Sequence, residues 1–166
     1  MRHQPRIYFS FRSPYSWMAV ERLRRELPDP HTVCEFVPYW DPDDVTQQAL
    51  ADRGGSFHYV QMSKAKHLYL LHDTKRMAAR LGLPMRWPID IDPWWELPHL
   101  AFLVAREMGA EVEFYTEVTA ARWQRGEDVC TPQVLATVAR RCGLDPKPLL
   151  AAPYDPGARA AGVQCL

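Results

Sequence analysis

The most restrictive feature of the sequence is a strand, a helix and a second strand within the first forty residues. Residues 6–11 (RIYFSF) are short and rich in β-branched and aromatic side chains, which predicts a strand. Ser13-Pro14 predicts the start of a helix reaching about Leu27, because serine is a preferred N-cap and proline fits the first helical turn. Residues 32–39 are predicted as a second strand. This order predicts a right-handed crossover and a parallel pair of strands.

Most of the chain after this βαβ unit is predicted to be helical. The stretch 84–98, rich in proline and tryptophan, is predicted as an ordered loop. The tail after Pro153 has only a weak hydrophobic pattern, and residues 158–166 could form at most one short strand. The first predicted helix begins at Asp43 or Asp44 and ends at Gly54. The others span 63–82, 98–108, 111–126, 132–142 and 145–150. We therefore predict an α/β fold in three parts: a βαβ unit (1–42), a helical insertion domain (43–152) and a short tail (153–166).

Composition excludes several classes of function. Among 166 residues, 20 lysines and arginines balance 20 aspartates and glutamates, which gives no long-range attraction for nucleic acid or an anionic membrane. No apolar run approaches a spanning helix, and residues 1–5 hold no apolar signal core, so we expect a soluble, cytoplasmic protein. The four cysteines form no C-x-x-C pair and, with the six histidines, no zinc-like spacing, so no metal is predicted.

The turn after the first strand, Ser13-Pro14-Tyr15-Ser16, is the most informative motif. A redox dithiol of the C-P-Y-C type occupies this place at the helix start in thioredoxin-like βαβ units, and this chain has serine at both ends. Unpaired amides and the positive end of the helix dipole favour an anion there. Ser13 could therefore hold a thiolate or donate a hydrogen bond; alternatively, it is only the N-cap of the helix.

Two blocks of sequence resemble one enzyme family, and a third is weaker. Residues 8–17 (YFSFRSPYSW) resemble the N-terminal motif of the 2-hydroxychromene-2-carboxylate isomerases and kappa-class glutathione transferases, which belong to the DsbA-like thioredoxin group. Residues 66–73 (KHLYLLHD), followed by 81–84 (LGLP), look like the family's K-x-x-Y-x-x-x-D helix and G-[LI]-P turn. Residues 120–150 are similar more weakly.

The resemblance implies a thioredoxin-like fold with a large all-helical insertion after the second strand. It implies that Ser13 is a catalytic serine placed to hydrogen-bond the sulfur of glutathione, or of another low-molecular-weight thiol, and that Lys66 is a catalytic residue on the substrate side. The family continues into a cis-proline loop, two strands and a helix, and this chain ends at Leu166, so this C-terminal ββα unit is expected to be missing.

The other candidate residues are mostly aromatic. Lys66, Tyr69 and Asp73 share one helix face, which could also be a solvated face with a packing tyrosine. Trp40, Trp87, Trp94 and Trp95 are dense enough to wall a pocket for a planar substrate, or they pack in the core. The predicted substrate-binding residues are Tyr15, Ser16, Trp17, Trp40, Tyr69, Trp94, Trp95 and His99.

Two classes of function follow from these residues. The first is an isomerase acting on a planar aromatic or polyketide-like carboxylate of secondary metabolism, with thiol assistance; glutathione conjugation is a related alternative. The second is a non-catalytic binding or assembly protein on a degenerate DsbA-like fold. In either case a homodimer is expected, because two parallel strands alone leave open sheet edges.

Overall fold

The two predicted strands pair in parallel and are joined by the predicted helix. The computed structural model describes residues 4–27, 29–58 and 62–166. Strand β1 (Arg6–Phe9) pairs with β2 (Glu35–Pro38), and helix α1 (Pro14–Glu26) connects them, followed by a one-turn helix α2 (Pro30–Val33). Both strands are shorter than predicted. Residues 10–13 form a turn after β1. Helix α2, which Asp29 caps, includes residues 32 and 33, which were predicted to belong to the second strand.

The predicted run of helices is confirmed in order. In the described residues, a π-helical turn (Ala120–Gln124) extends the sixth helix and a 3₁₀ turn (Ala152–Tyr154) precedes the last one. The helices are α3 (Asp44–Ala51), α4 (Lys64–Arg80), α5 (Glu96–Glu107), α6 (Glu111–Thr119), α7 (Pro132–Arg141), α8 (Pro146–Ala151) and α9 (Pro156–Val163). The stretch before α5 lies outside helices and strands, as predicted.

The C-terminal tail is helical, so the prediction that 158–166 could add a strand is wrong. Asp155 caps α9 by accepting a hydrogen bond from the Ala158 amide at 2.7 Å, and Pro156 fits the first turn. The helix packs on α3 and α5. At Gly162 the approach to α5 is so close that an added Cβ would lie 2.6 Å from Leu100 Cδ2.

Helix α5 is the centre of the core and covers the sheet. It packs against α6, α8 and α9, and its Phe102 is fully buried. The ring of Phe9, the last residue of β1, meets Phe102 at 4.9 Å and Tyr115 of α6 at 5.0 Å, both edge-on. This packing fixes the end of β1 and therefore the turn that leads into Ser13.

Among the described residues, no helix is both long and apolar enough to cross a bilayer. The same part of the chain holds no group of three or more histidine, cysteine, aspartate or glutamate side chains arranged to bind a metal ion.

Candidate functional site

A cavity of about 470 Å³ opens at the N-terminal end of α1. It is bounded by the turn after β1, the first turn of α1, the segment after β2, the start of α4 and the loop before α5. Its lining has a polar part and a larger part made of aromatic and other apolar residues. The polar residues are Ser10, Arg12, Ser13, Asp41, Lys66 and His67, and the others are Pro14, Tyr15, Tyr39, Trp40, Phe57, Met62, Leu70 and Trp87.

Ser13 is both the N-cap of α1 and part of the cavity lining. Its Oγ accepts a hydrogen bond from the Ser16 amide at 3.2 Å. A serine hydroxyl has one proton to donate besides its acceptor sites, so capping leaves that proton for an acceptor in the cavity. The two alternatives drawn from the sequence, cap and site, are therefore compatible.

Lys66, from the second family-like block of the sequence, lines the same cavity as Ser13. It sits in the first turn of α4, where Ser63 caps the helix by accepting from the Lys66 amide at 3.2 Å. Its side chain is exposed and forms no ion pair with any residue that the structure describes. The roles predicted for Ser13 and Lys66 remain predictions, since proximity alone does not establish them.

The charges of the cavity leave a positive excess. Arg12 and Asp41 form an ion pair within the lining, so their charges offset each other. Lys66 adds a further positive charge to the lining. A cavity with this balance favours an anionic ligand.

Trp17, Trp95 and His99 do not line the cavity, contrary to the sequence prediction. Trp17 is buried in a small second core, where its ring stacks on Trp123 at 6.3 Å. Trp95 belongs to the main core. Both ring nitrogens of His99 have partners: Nε2 accepts from the Phe11 amide at 3.0 Å, and Nδ1 lies 2.7 Å from the Trp95 carbonyl. Burial lowers the pKa of His99 to about 3, so the imidazole is neutral.

Ser16, Tyr69 and Trp94 also lie outside the lining. The Ser16 hydroxyl accepts from the Ser10 amide at 3.3 Å and so shapes the turn after β1. Tyr69 is 61% exposed, since the face of α4 that meets the cavity runs through Lys66, His67 and Leu70. The Trp94 indole donates to Asp43 at 3.0 Å.

The cavity's aromatic walls come from residues that the sequence only partly identified. Tyr15, Trp40 and Trp87 line it as the sequence suggested. Tyr39 and Phe57 were missed; their rings contact each other at 5.2 Å. Tyr39 directly follows β2, and side chains at the carboxyl end of a parallel strand are a recognised signal for a binding site.

A buried polar network behind the cavity fixes Trp40. Its indole donates to Glu96 at 2.9 Å and stacks on His99 at 5.1 Å. Glu96, whose pKa is raised chiefly by burial, also accepts from the Asp43 amide at 2.8 Å. The indole ring therefore presents a fixed wall to the cavity.

We predict that the protein has no disulfide oxidoreductase activity, because the redox step needs thiols where Ser13 and Ser16 stand. Insulin reduction should stay at the buffer rate. The double variant Ser13→Cys/Ser16→Cys should gain measurable reduction, since the helix N-terminus lowers a thiol's pKa. Reduction by the unaltered protein above background would contradict the prediction.

Comparison with known proteins extends these observations. Residues 6–159 match the model of the DSBA-like thioredoxin domain. No curated protein sequence matches the chain. Among solved structures, that of a 2-hydroxychromene-2-carboxylate isomerase is similar to this chain. The two are 20% identical, with a TM-score of 0.62, and the match covers 96% of this chain and 78% of that chain.

Two further solved structures have the same fold. A probable DsbA oxidoreductase from Streptomyces coelicolor is 19% identical, with a TM-score of 0.64, over 96% of this chain and 70% of that chain. A putative protein disulfide isomerase from Nitrosomonas europaea is 11% identical, with a TM-score of 0.64, over 98% of this chain and 76% of that chain. At these identities the likeness concerns the fold alone. Together with the family match over residues 6–159, it establishes that the chain belongs to the DSBA-like thioredoxin domain family.

Proposed function

We propose that the cavity binds a planar aromatic or polyketide-like carboxylate and that the protein isomerises it with the help of an external thiol. One observation carries the proposal: Ser13, at the N-terminus of α1, and Lys66, at the start of α4, line a single cavity with aromatic walls. The solved 2-hydroxychromene-2-carboxylate isomerase with the same fold suggests the kind of reaction.

The aromatic walls favour a flat, apolar ligand body. Tyr39 and Trp87 both line the cavity and are 38% and 37% exposed, so their rings keep apolar surface open to water. Covering such surface with an aromatic ring is favourable through the hydrophobic effect and ring stacking. The fixed Trp40 adds a rigid surface to the same pocket. A planar ligand fits this lining better than a flexible polar one.

Lys66 supplies the charge that a carboxylate needs. Because Arg12 and Asp41 offset each other, the Lys66 ammonium is the group that would neutralise a substrate carboxylate or an enolate formed during the reaction. Stabilising charge as it develops is a common source of rate enhancement in enzymes.

Ser13 and the start of α1 fit the sulfur of a thiol. The helix N-terminus favours an anion, and the serine proton can be donated to a thiolate. A bound thiol supplies reversible addition to a conjugated carbon–carbon double bond, which lets that bond rotate before the thiolate leaves again without net oxidation. None of the four cysteines, all of them described, lines the cavity, so the thiol has to come from solution as glutathione or a similar small molecule.

A pair of matched ligands tests the proposal. Chromone-2-carboxylate is planar and anionic, and chromone has the same rings without the charge. By isothermal titration calorimetry, the carboxylate should bind at least about tenfold more tightly, which corresponds to roughly 1.4 kcal/mol. Lys66→Met should abolish this preference, and the matched control Lys64→Met, an exposed lysine in the same turn but outside the lining, should keep it.

These titrations, together with two activity assays, distinguish the alternatives. Binding of neither compound would overturn the proposal. Selective binding without turnover of 2-hydroxychromene-2-carboxylate in the presence of glutathione would favour the non-catalytic binding protein. Conjugation of glutathione to an electrophile such as 1-chloro-2,4-dinitrobenzene would favour the transferase.

A further inference from the structure

Helix α4 is held firmly along its C-terminal half and loosely along the half that carries Lys66. Its buried residues are Thr74 and Ala78, and Ala78 packs with Trp17 and Trp123 in the small second core. The segment 64–69 is exposed throughout. Packing therefore fixes the end of α4 away from the cavity and holds the end beside it much less.

Two side-chain hydrogen bonds join α1 to α4 in the part of the chain that the structure describes. Arg25 donates to the carbonyl of Leu81, at the far end of α4. The Tyr15 hydroxyl donates to Asp73 Oδ2 at 2.9 Å, in the middle of the helix. Asp73 also pairs with Arg76 on its own helix, which holds the carboxylate in place. The Tyr15–Asp73 bond is the one nearer to Lys66.

This bond connects the two halves of the candidate site. Tyr15 follows Ser13 by two residues at the start of α1, and Asp73 follows Lys66 by seven residues, which is two helical turns or about 10 Å. A stiff helix transmits the position of Asp73 to Lys66 as long as that part of α4 stays folded. Tyr15 itself lines the cavity, but its hydroxyl is already committed to Asp73.

We propose that Tyr15 is a positioning residue, which through Asp73 holds the N-terminal half of α4 in place and so keeps Lys66 across the cavity from Ser13. We call this contact the Tyr15–Asp73 latch. The proposal deepens the proposed function and rests on it for the role of Lys66. It assigns the Tyr15 hydroxyl to α4 and leaves only the ring for contact with a substrate.

The protonation of Tyr15 agrees with this role. Burial, together with the hydrogen bond to Asp73, raises the pKa of Tyr15 to about 12. The phenol therefore remains a donor across the physiological pH range.

Hydrogen exchange without any ligand tests the latch itself. In Tyr15→Phe, the hydrogen-bonded amides of residues 68–72 should exchange about fivefold to tenfold faster, as expected for loss of one hydrogen bond, while the free energy of global unfolding should fall by no more than this same amount. Tyr154→Phe, which removes a hydroxyl from an exposed tyrosine outside the lining, is the matched control and should leave all these rates unchanged. Asp73→Asn keeps an acceptor and should remain near wild type, and Asp73→Leu should behave like Tyr15→Phe.

Ligand binding tests the link from the latch to Lys66. In Tyr15→Phe, the preference for chromone-2-carboxylate over chromone should fall about threefold or more. Unchanged exchange at 68–72 would overturn the latch. Faster exchange with an intact preference would overturn its role in placing Lys66. If the wild-type protein binds neither compound, the proposed function fails, and the exchange result still decides whether the latch holds α4.

Discussion

Replacing Asp43 with alanine should lower the free energy of unfolding by about 3 kcal/mol, the typical cost of removing one partner from a largely buried ion pair. Asp43 accepts four hydrogen bonds from described residues: one from the Thr46 amide, which caps α3, one from the Trp94 indole and two from Arg159. The pair with Arg159 ties α3 to α9 across residues far apart in sequence. Its loss leaves an arginine that is only 19% exposed without its carboxylate.

The effect of Asp43 should depend on pH in a defined direction. Burial alone would raise the pKa of Asp43, but the hydrogen bonds from Arg159, Thr46 and Trp94 outweigh it and hold this pKa well below the ordinary 3.8. A carboxyl whose pKa is lowered by folding stabilises the protein above its unfolded pKa, and this contribution is lost as pH falls below about 4. The difference between wild type and Asp43→Ala should therefore shrink in acid.

Urea unfolding at pH 7 and at pH 3 measures both effects. The matched control is Asp44→Ala, which changes the neighbouring exposed aspartate and should cost less than about 0.5 kcal/mol. A variant Asp43→Ala as stable as Asp44→Ala at pH 7 would show that the network behind the cavity does not support the fold.

Replacing Ser13 with alanine should slow isomerisation of 2-hydroxychromene-2-carboxylate in the presence of glutathione by about a hundredfold, the usual effect of removing one positioned donor from a catalytic site. Binding of chromone-2-carboxylate should change by less than about threefold, because Lys66 and the aromatic walls remain. The rate should fall much more than the binding affinity, because the Ser13 hydroxyl is proposed to act on the thiol and not on the bound carboxylate.

Loss of the N-cap complicates the reading of Ser13→Ala and needs a control. Removing this cap costs about 1 kcal/mol of stability, so folding is checked by circular dichroism before rates are compared. Ser13→Thr keeps both the cap and the hydroxyl and should retain the rate within about tenfold. A full rate in Ser13→Ala would show that the hydroxyl takes no part in the reaction.

Local features were the most predictable part of the fold. The strand, helix and parallel strand at the start follow from residue preferences and from the Ser13-Pro14 helix start. Asp43, one of two candidates for capping α3, is the residue that does so. Each of these depends on residues within a few positions of one another, and short-range propensity decides them.

The distribution of aromatic residues between core and cavity could not be predicted in the same way. Trp40 lines the cavity because Glu96, 56 residues later, accepts from its indole. His99 is held in the core by a hydrogen bond from the amide of Phe11, 88 positions earlier. Trp17 has the helical spacing of a core residue, and only the position of Trp123 decides that it stacks there. Such pairings depend on tertiary packing, which no local pattern encodes.

A crystal structure of the protein with bound chromone-2-carboxylate tests the proposed site directly. We expect the ring system to lie between Tyr39 and Trp87, with the carboxylate at about 2.7–3.2 Å from Lys66 Nζ, the distance of a direct hydrogen bond. The carbon–carbon double bond next to the carboxylate should face Ser13. A ligand bound outside this cavity, or within it with the carboxylate away from Lys66, would show that the proposed site is wrong.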